Sequence, residues 1–436
     1  MEQVVVGLFL TFFILEFLVE FILNEMNISY VRKRWVEQKI PDFFQGKMSP
    51  KDYRKSVEYT LAKGRFQRWA EVYGALVTLF VLFGGVLPYL DWFSQHVGGR
   101  FPSTTQAAGI LFSFSTGLIF SILSLPTDLY STLVIEERFG FNKTTLKLYL
   151  TDKLKGLFLG VVIGIPFLFG VLWLMEGTGS YWWLWAFFFI FAFQFLMVMI
   201  YPTLIAPLFN KFEPLRDGEL RQRILALADQ VGFKTDGVYT MDGSRRSAHS
   251  NAYFTGIGKT KRIVLFDTLI EQMTIDQGLA VLAHEMGHYK MKHIRRMLVI
   301  RGICLLVGLY ILNLLVGYEP MFRAFGLEKP SNYGALVLFS LLSGPVTFYL
   351  NPLMNFLSRK HEYEADRFAT RTLKDGRPME EALIGLTVKN LSNLTPHPWY
   401  SAYHYSHPTT AERVSAIRKV SSSEYRVSSF KFLNNG

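Results

Sequence analysis

The chain has 436 residues, half of them hydrophobic, with 39 Phe, 21 Tyr, 8 Trp, one cysteine and a formal net charge of +11. A single cysteine excludes a disulfide framework and a thiolate metal site. The basic balance would suit nucleic acid, but the Lys and Arg flank apolar stretches without the aromatic interleaving that stacks bases, so we read them as facing anionic lipid headgroups and expect no nucleic-acid partner.

Seven stretches approach the roughly 20 apolar residues that a helix needs to cross a bilayer core of about 30 Å. They run over 4–22, 69–90, 107–125, 157–175, 182–201, 297–315 and 333–350. The first has no basic residue before it and no small-residue cleavage site after it, so it reads as a retained anchor and not a signal peptide. Loop charge alternates. Eleven Lys/Arg lie between the first two spans, only Arg100 between the next two, then five (Arg138, Lys143, Lys147, Lys153 and Lys155), then none. Residues 202–296 and the tail are again basic, and the loop before Tyr333 carries only Arg323 and Lys329. The positive-inside rule then predicts an outside or luminal N-terminus and a cytosolic C-terminus. The expected fold class is a mainly α-helical integral membrane protein of seven transmembrane helices with a small cytosolic α/β unit. Its expected parts are 1–201 (five spans), 202–296 (catalytic unit), 297–350 (two spans) and 351–436 (a tail that completes the site).

Polar groups inside the spans include Glu16, Glu20, Gln194, Arg301 and Asn313, which suit a wet interior, or, for Glu20 and Arg301, side chains reaching the interface. Cys304, within the sixth span, reads as core packing. Between spans five and six, 220–231 predicts a helix and 237–241 a strand. Segments 250–255 and 262–267 flank the turn-like Gly256-Ile257-Gly258-Lys259 as a hairpin. Its edge either accepts a peptide through main-chain hydrogen bonds or is structural only.

The hairpin leads into His284-Glu285-Met286-Gly287-His288. An HExxH sequence on a helix places two imidazoles at i and i+4 beside a carboxylate, the first half of a zinc peptidase site. Thr274 and Gln277 form a T-x-x-Q capping box, and Leu279, Val281, Leu282 and Met286 supply the apolar face. Continued as one helix, the segment puts His293 about 180° from His284, which makes it an ordinary surface residue. A third ligand is expected from Ser358-Arg359-Lys360-His361-Glu362-Tyr363-Glu364-Ala365-Asp366. There Glu362 and Asp366 are i, i+4, so one binds metal while the other holds a ligand imidazole. Glu364 and His361 point elsewhere on this reading.

Together with Glu136-Glu137-Arg138-Phe139-Gly140-Phe141-Asn142, Pro207-Leu208-Phe209-Asn210-Lys211-Phe212, Ser250-Asn251-Ala252-Tyr253-Phe254-Thr255-Gly256, Ser406-His407-Pro408 and Glu412-Arg413, these residues make the chain resemble the type I CAAX prenyl proteases, integral-membrane zinc metallopeptidases. The resemblance covers nearly the whole chain. It implies seven helices around a water-filled chamber and one zinc ion held by His284, His288 and Glu362. It further implies Glu285 as general base and Asp366 behind a ligand His. His407 and Arg413 would contact the peptide or its transition state, and Asn251 and Ala252 would form the substrate edge. The tail ends Lys431-Phe432-Leu433-Asn434-Asn435-Gly436, without the dilysine-type ending that would argue for retention in the endoplasmic reticulum, which leaves the membrane open; the expectation is the endoplasmic reticulum membrane in a eukaryote and the plasma membrane in a bacterium.

The expected reaction is cleavage of the C-terminal tripeptide from a prenylated CaaX protein or peptide, with membrane lipid as the other partner. The alternatives are a quality-control metalloprotease acting on unprenylated chains and, from a different class, a seven-span transporter or receptor with structural zinc.

Overall fold

The computed structural model describes residues 1–37, 40–101, 104–255 and 261–433. The expected turn at 256–259 and the last three residues of the tail lie outside them.

Among the described residues, six helices are long and apolar enough to cross a bilayer, and one bent pair makes a seventh span. Helix α1 (Glu2–Val36) has 35 residues, a rise of about 52 Å, so its basic end at Lys33 and Arg34 stands clear of a core of about 30 Å. Helix α2 (Pro50–Phe83) begins at Ser49, whose hydroxyl accepts the Asp52 N–H. It meets α3 (Val86–Gly98) at a 53° bend. Gly85 turns that corner with φ 78°, a conformation that costs a residue with a Cβ about 1–2 kcal/mol. The expected span at 69–90 is therefore a broken one. Helix α4 (Thr104–Tyr130) continues through a π-helical turn at Ser131–Glu136, and α5 (Leu146–Gly177) and α6 (Trp182–Ile200) follow.

Next comes a four-stranded sheet of order β1-β2-β4-β3, made from β1 (Phe212–Pro214), β2 (Gly237–Met241), β3 (Ala252–Thr255) and β4 (Arg262–Phe266). Strands β2 and β4 are parallel, joined through β3, which pairs antiparallel with β4 as the expected hairpin. Helix α7 (Glu219–Gln230) and the HExxH helix α8 (Ile275–Lys290) bury Ile224, Ile263, Leu265, Leu282 and Met286 in one core with the sheet.

Helix α9 (His293–Leu315) returns through the membrane bundle. Helices α10 (Asn332–Thr347) and α11 (Asn351–Leu373) follow each other across a single 3-10 turn, so the last span runs straight on into the segment that carries Glu362. Helices α12 (Arg377–Lys389) and α13 (Thr410–Leu433) complete the tail. Tail residues Met379 and Val414 pack with Val31 of α1, Val57 of α2 and Ala280 of α8, tying the ends of the first two helices to the site.

The membrane bundle has its own core of Phe9, Leu82, Leu87, Phe112, Leu172, Trp182, Leu312 and Phe322. Outside it, Leu15, Leu76, Phe158, Phe188 and Ile303 are exposed, as expected where lipid takes the place of water. Cys304 is exposed, which corrects its reading as core packing: the buried positions of that helix nearest to it are Gly302 and Leu309. Glu20 turns inward, its Oε2 3.3 Å from His404 Nε2 in the tail, and so does not reach for the interface.

Candidate metal centre

Two helices deliver the site, and a glycine decides how closely they meet. A Cβ on Gly287 would lie 3.1 Å from the Ala365 Cα and 3.2 Å from its carbonyl oxygen, so the absence of a side chain lets α8 settle on the backbone of α11. The Thr274–Gln277 capping box forms as expected, fixing the start of α8. His284 and Glu362 are thereby buried and His288 half-buried.

The donor atoms converge. His284 Nε2 is 3.1 Å from His288 Nε2 and 3.4 Å from Glu362 Oε2, and His288 Nε2 is 3.2 Å from Glu362 Oε1. Ligands about 2.0–2.1 Å from a tetrahedral zinc ion are about 3.3 Å from one another, and these separations suit such an ion, with Glu362 facing His284 through Oε2 and His288 through Oε1. Glu362 Oε2 is also buried without an aligned hydrogen bond, although His407 Nδ1 approaches it at 2.9 Å. The Arg413 guanidinium reaches that oxygen only at 3.4 Å, so a cation closer in would further offset the cost of burying it. Among the described residues, this is the group of His, Cys, Asp and Glu side chains spaced to hold a metal ion.

Behind the donors lies a layer that fixes their protons. His284 Nδ1 lies 2.8 Å from Asp366 Oδ1 and donates to it, leaving the Nε2 lone pair facing His288 and Glu362. Asp366 is itself gripped by Arg413, through Nε to Oδ2 at 2.8 Å and Nη2 to Oδ1 at 2.6 Å. With no cation bound, burial would lower the His284 pKa, but the hydrogen bonds to Asp366 and Glu362 outweigh it and push it up to about 9, so a metal ion would take the place of a proton on Nε2. The same comparison raises the pKa of the buried Arg413, where Asp366 outweighs desolvation. The pocket thus has a negative well that suits a divalent cation.

His293 corrects the sequence reading. It is buried, with Nδ1 3.0 Å from His288 Nδ1 and Nε2 2.9 Å from Glu364 Oε2. The expectation of a surface residue assumed one continuous helix. In fact α8 ends at Lys290 and Lys292, in the left-handed conformation at φ 59°, folds the chain back into α9. Because the Glu364 carboxylate only accepts, His293 Nε2–H donates to it, His293 Nδ1 accepts, and His288 Nδ1–H donates. The His288 Nε2 lone pair then points to the cluster. Glu364 and His361 point away from the donor cluster, as expected, but into the layer behind it: Glu364 also pairs with Arg296 at 3.3 Å, and the His361 ring stacks on His293 with centroids 4.1 Å apart. No periodicity argument could have found this layer, since it depends on the backbone reversal at Lys292.

Glu285, beside His284, is half-buried and has no hydrogen-bond partner among the described residues. His407 is exposed on the lip of the site. Arg413 is buried and its guanidinium is engaged with Asp366 and, at 3.4 Å, with Glu362, a position behind the donors and not on an open face. Asn251 is exposed and Ala252 buried at the start of β3, whose outer edge lacks a strand neighbour among the described residues.

Comparison with known proteins places the chain in a family. Residues 30–211 match the family described as CAAX prenyl protease N-terminal, five membrane helices, and residues 214–421 match peptidase family M48. The CAAX prenyl protease 1 homolog of Dictyostelium discoideum is 35% identical over 416 residues, 94% of this chain and 96% of that protein. CAAX prenyl protease 1 of Saccharomyces cerevisiae is 36% identical over 413 residues, 88% and 90% of the two chains. The crystal structure of S. mikatae Ste24p superposes with a TM-score of 0.84 at 34% identity, covering 93% of this chain and 97% of that one.

Proposed function

This chain belongs to peptidase family M48, among the CAAX prenyl protease 1 homologues, and is a multi-pass membrane metalloendopeptidase; from that premise we propose that one zinc ion is held by His284, His288 and Glu362 and that the substrate is a prenylated CaaX tail. When bound, zinc polarises a scissile carbonyl and lowers the pKa of water towards about 7. Glu285, unpaired beside His284, takes a proton from the attacking water and returns it to the leaving amine. His407 donates to the developing oxyanion from the exposed lip. Asp366 and Arg413 keep the His284 ring oriented, and the free edge of β3 at Asn251 and Ala252 takes the peptide as an added strand.

The observation that carries the substrate class is the continuity of α10 and α11. Glu362 lies twelve residues beyond Leu350, about 18 Å along the helix from the end of the last span. A peptide tethered to the bilayer by a lipid chain is thus held within reach of the cluster, at raised local concentration. The loop charges support a cytosolic site with the N-terminus outside or luminal, in the endoplasmic reticulum of a eukaryote or the plasma membrane of a bacterium.

The test is cleavage of a farnesylated C-terminal CaaX peptide beside its unprenylated twin at matched low concentration. We expect release of the last three residues, with the lipid lowering KM more than it raises kcat. Equal cleavage of the twins would favour quality-control proteolysis of unprenylated chains.

A further inference from the structure

A cavity of about 850 Å³ adjoins the metal cluster, between α1, α2, the 131–136 turn, the segment before β3 and the tail. That volume lies within the ~300–1,000 Å³ of sites that bury a small ligand. It reaches the lip of the site at His407, whose Nδ1 is 2.9 Å from Glu362 Oε2, and the substrate edge at Ser247 and His249, just ahead of β3. These two contacts give it a direction. Strand β3 pairs with β4 on one side and is the outer strand of the sheet on the other. A peptide added antiparallel, the commoner and slightly more stable pairing, runs from Thr255 towards Asn251. Its C-terminal end is therefore delivered to His249 and the cavity.

On the CaaX reading, on which this inference rests, the cavity receives the three residues that leave, together with their free α-carboxylate. Two Lys or Arg side chains stand on its wall. Arg246 is committed, held by both oxygens of Asp152 at 2.8 and 3.0 Å and donating to Asn210 Oδ1 at 2.8 Å. Lys63 has no ion pair within 4.0 Å among the described residues; its Nζ lies 3.4 Å from the Tyr59 hydroxyl and 5.0 Å from the centroid of that ring. The nearby carboxylate of Glu136 accepts from the Tyr59 hydroxyl through Oε1 at 2.6 Å, while its buried Oε2 has no hydrogen-bond partner and faces His249 Nε2 at 3.6 Å; the Lys63 charge attracts this carboxylate but makes no contact with it within 4.0 Å.

We propose that the cavity is the binding site for the departing C-terminal tripeptide and that Lys63 pairs with its free α-carboxylate. A carboxylate on this wall meets an ammonium with donors to spare, whereas a C-terminal amide does not.

The experiment compares kcat/KM for a farnesylated CaaX peptide ending in a free acid with that for the same peptide ending in an amide, using the full-length protein. The wild type should prefer the acid by about tenfold, the size of one charge-assisted hydrogen bond in a partly wet site. Lys63→Gln should bring the acid-to-amide ratio close to one, and Lys63→Arg should keep most of the preference. Because the ratio is internal to each protein, a general loss of folded enzyme does not move it. Equal cutting of acid and amide by the wild type overturns the carboxylate site, and so does a Lys63→Gln variant that keeps the wild-type ratio. A wild type that cuts neither peptide overturns the CaaX reading and this assignment with it.

Discussion

Each donor nitrogen of the site is aimed by a proton on the far side of its ring. His284 rests on Asp366 and Arg413, and His288 rests on His293 and Glu364. Outer partners of metal-binding histidines typically carry 10–100-fold of the affinity. Glu362→Ala should therefore lose zinc altogether, while His293→Ala and Asp366→Ala should each weaken binding about 10–100-fold, as read by competition with a chelator of known affinity. Unchanged affinity in His293→Ala would mean that its contact with His288 does not orient the ligand. Sequence spacing placed Glu362 and Asp366 on one face without saying which binds metal, the family resemblance set Asp366 behind a ligand His, and neither put Arg413 behind Asp366 or found the second support. Glu362 and Asp366 sit four apart on one helix, so their shared face could be read directly. His293 reaches His288 only because Lys292 takes a left-handed conformation, and nothing in a helical period announces that.

Between elements, the close approach of α8 and α11 at Gly287 sets the distance from His288 to Glu362. An added methyl at Gly287 would press on the Ala365 backbone and the Phe368 Cβ, which cannot swing aside as the end of a long side chain can. Gly287→Ala is expected to destabilise by about 1–3 kcal/mol and to lower zinc affinity, whereas Gly278→Ala, with nothing within 4 Å of its Cβ, should do neither. Thermal unfolding in detergent with metal analysis checks the pair, and equal behaviour of the two variants would contradict the packing account. Among the strands, β2 and the hairpin β3–β4 were legible from β-rich runs bounded by turn residues. Strand β1 was not, being three residues long and ending at Pro214. The break at Gly85 also escaped notice, because hydropathy runs smoothly across 69–90 while backbone direction changes by 53°.

At the scale of the whole molecule, one end of the bundle is formed by α3 and the 319–333 segment. The Tyr333 hydroxyl donates to Asp91 at 2.8 Å there, and Gly326 packs on Pro88. We expect this end outside or luminal and the metal centre cytosolic. Cysteine labels at Gly99 and Glu328 should react from outside, and labels at Lys51 and Lys374 only after permeabilisation. The exposed Cys304 must first be replaced by serine. Reaction of all four from one side would break the seven-span arrangement. The central claim is that the two helices of the site form a zinc peptidase centre with Glu285 as its base. The most direct measurement is cleavage by the Glu285→Gln variant with its zinc counted in the same sample. The account predicts about one zinc per chain and a rate lowered by at least about 100-fold, the range for loss of a general base. Full cleavage by that variant with zinc bound, or a wild type that cleaves with no metal bound, would contradict it.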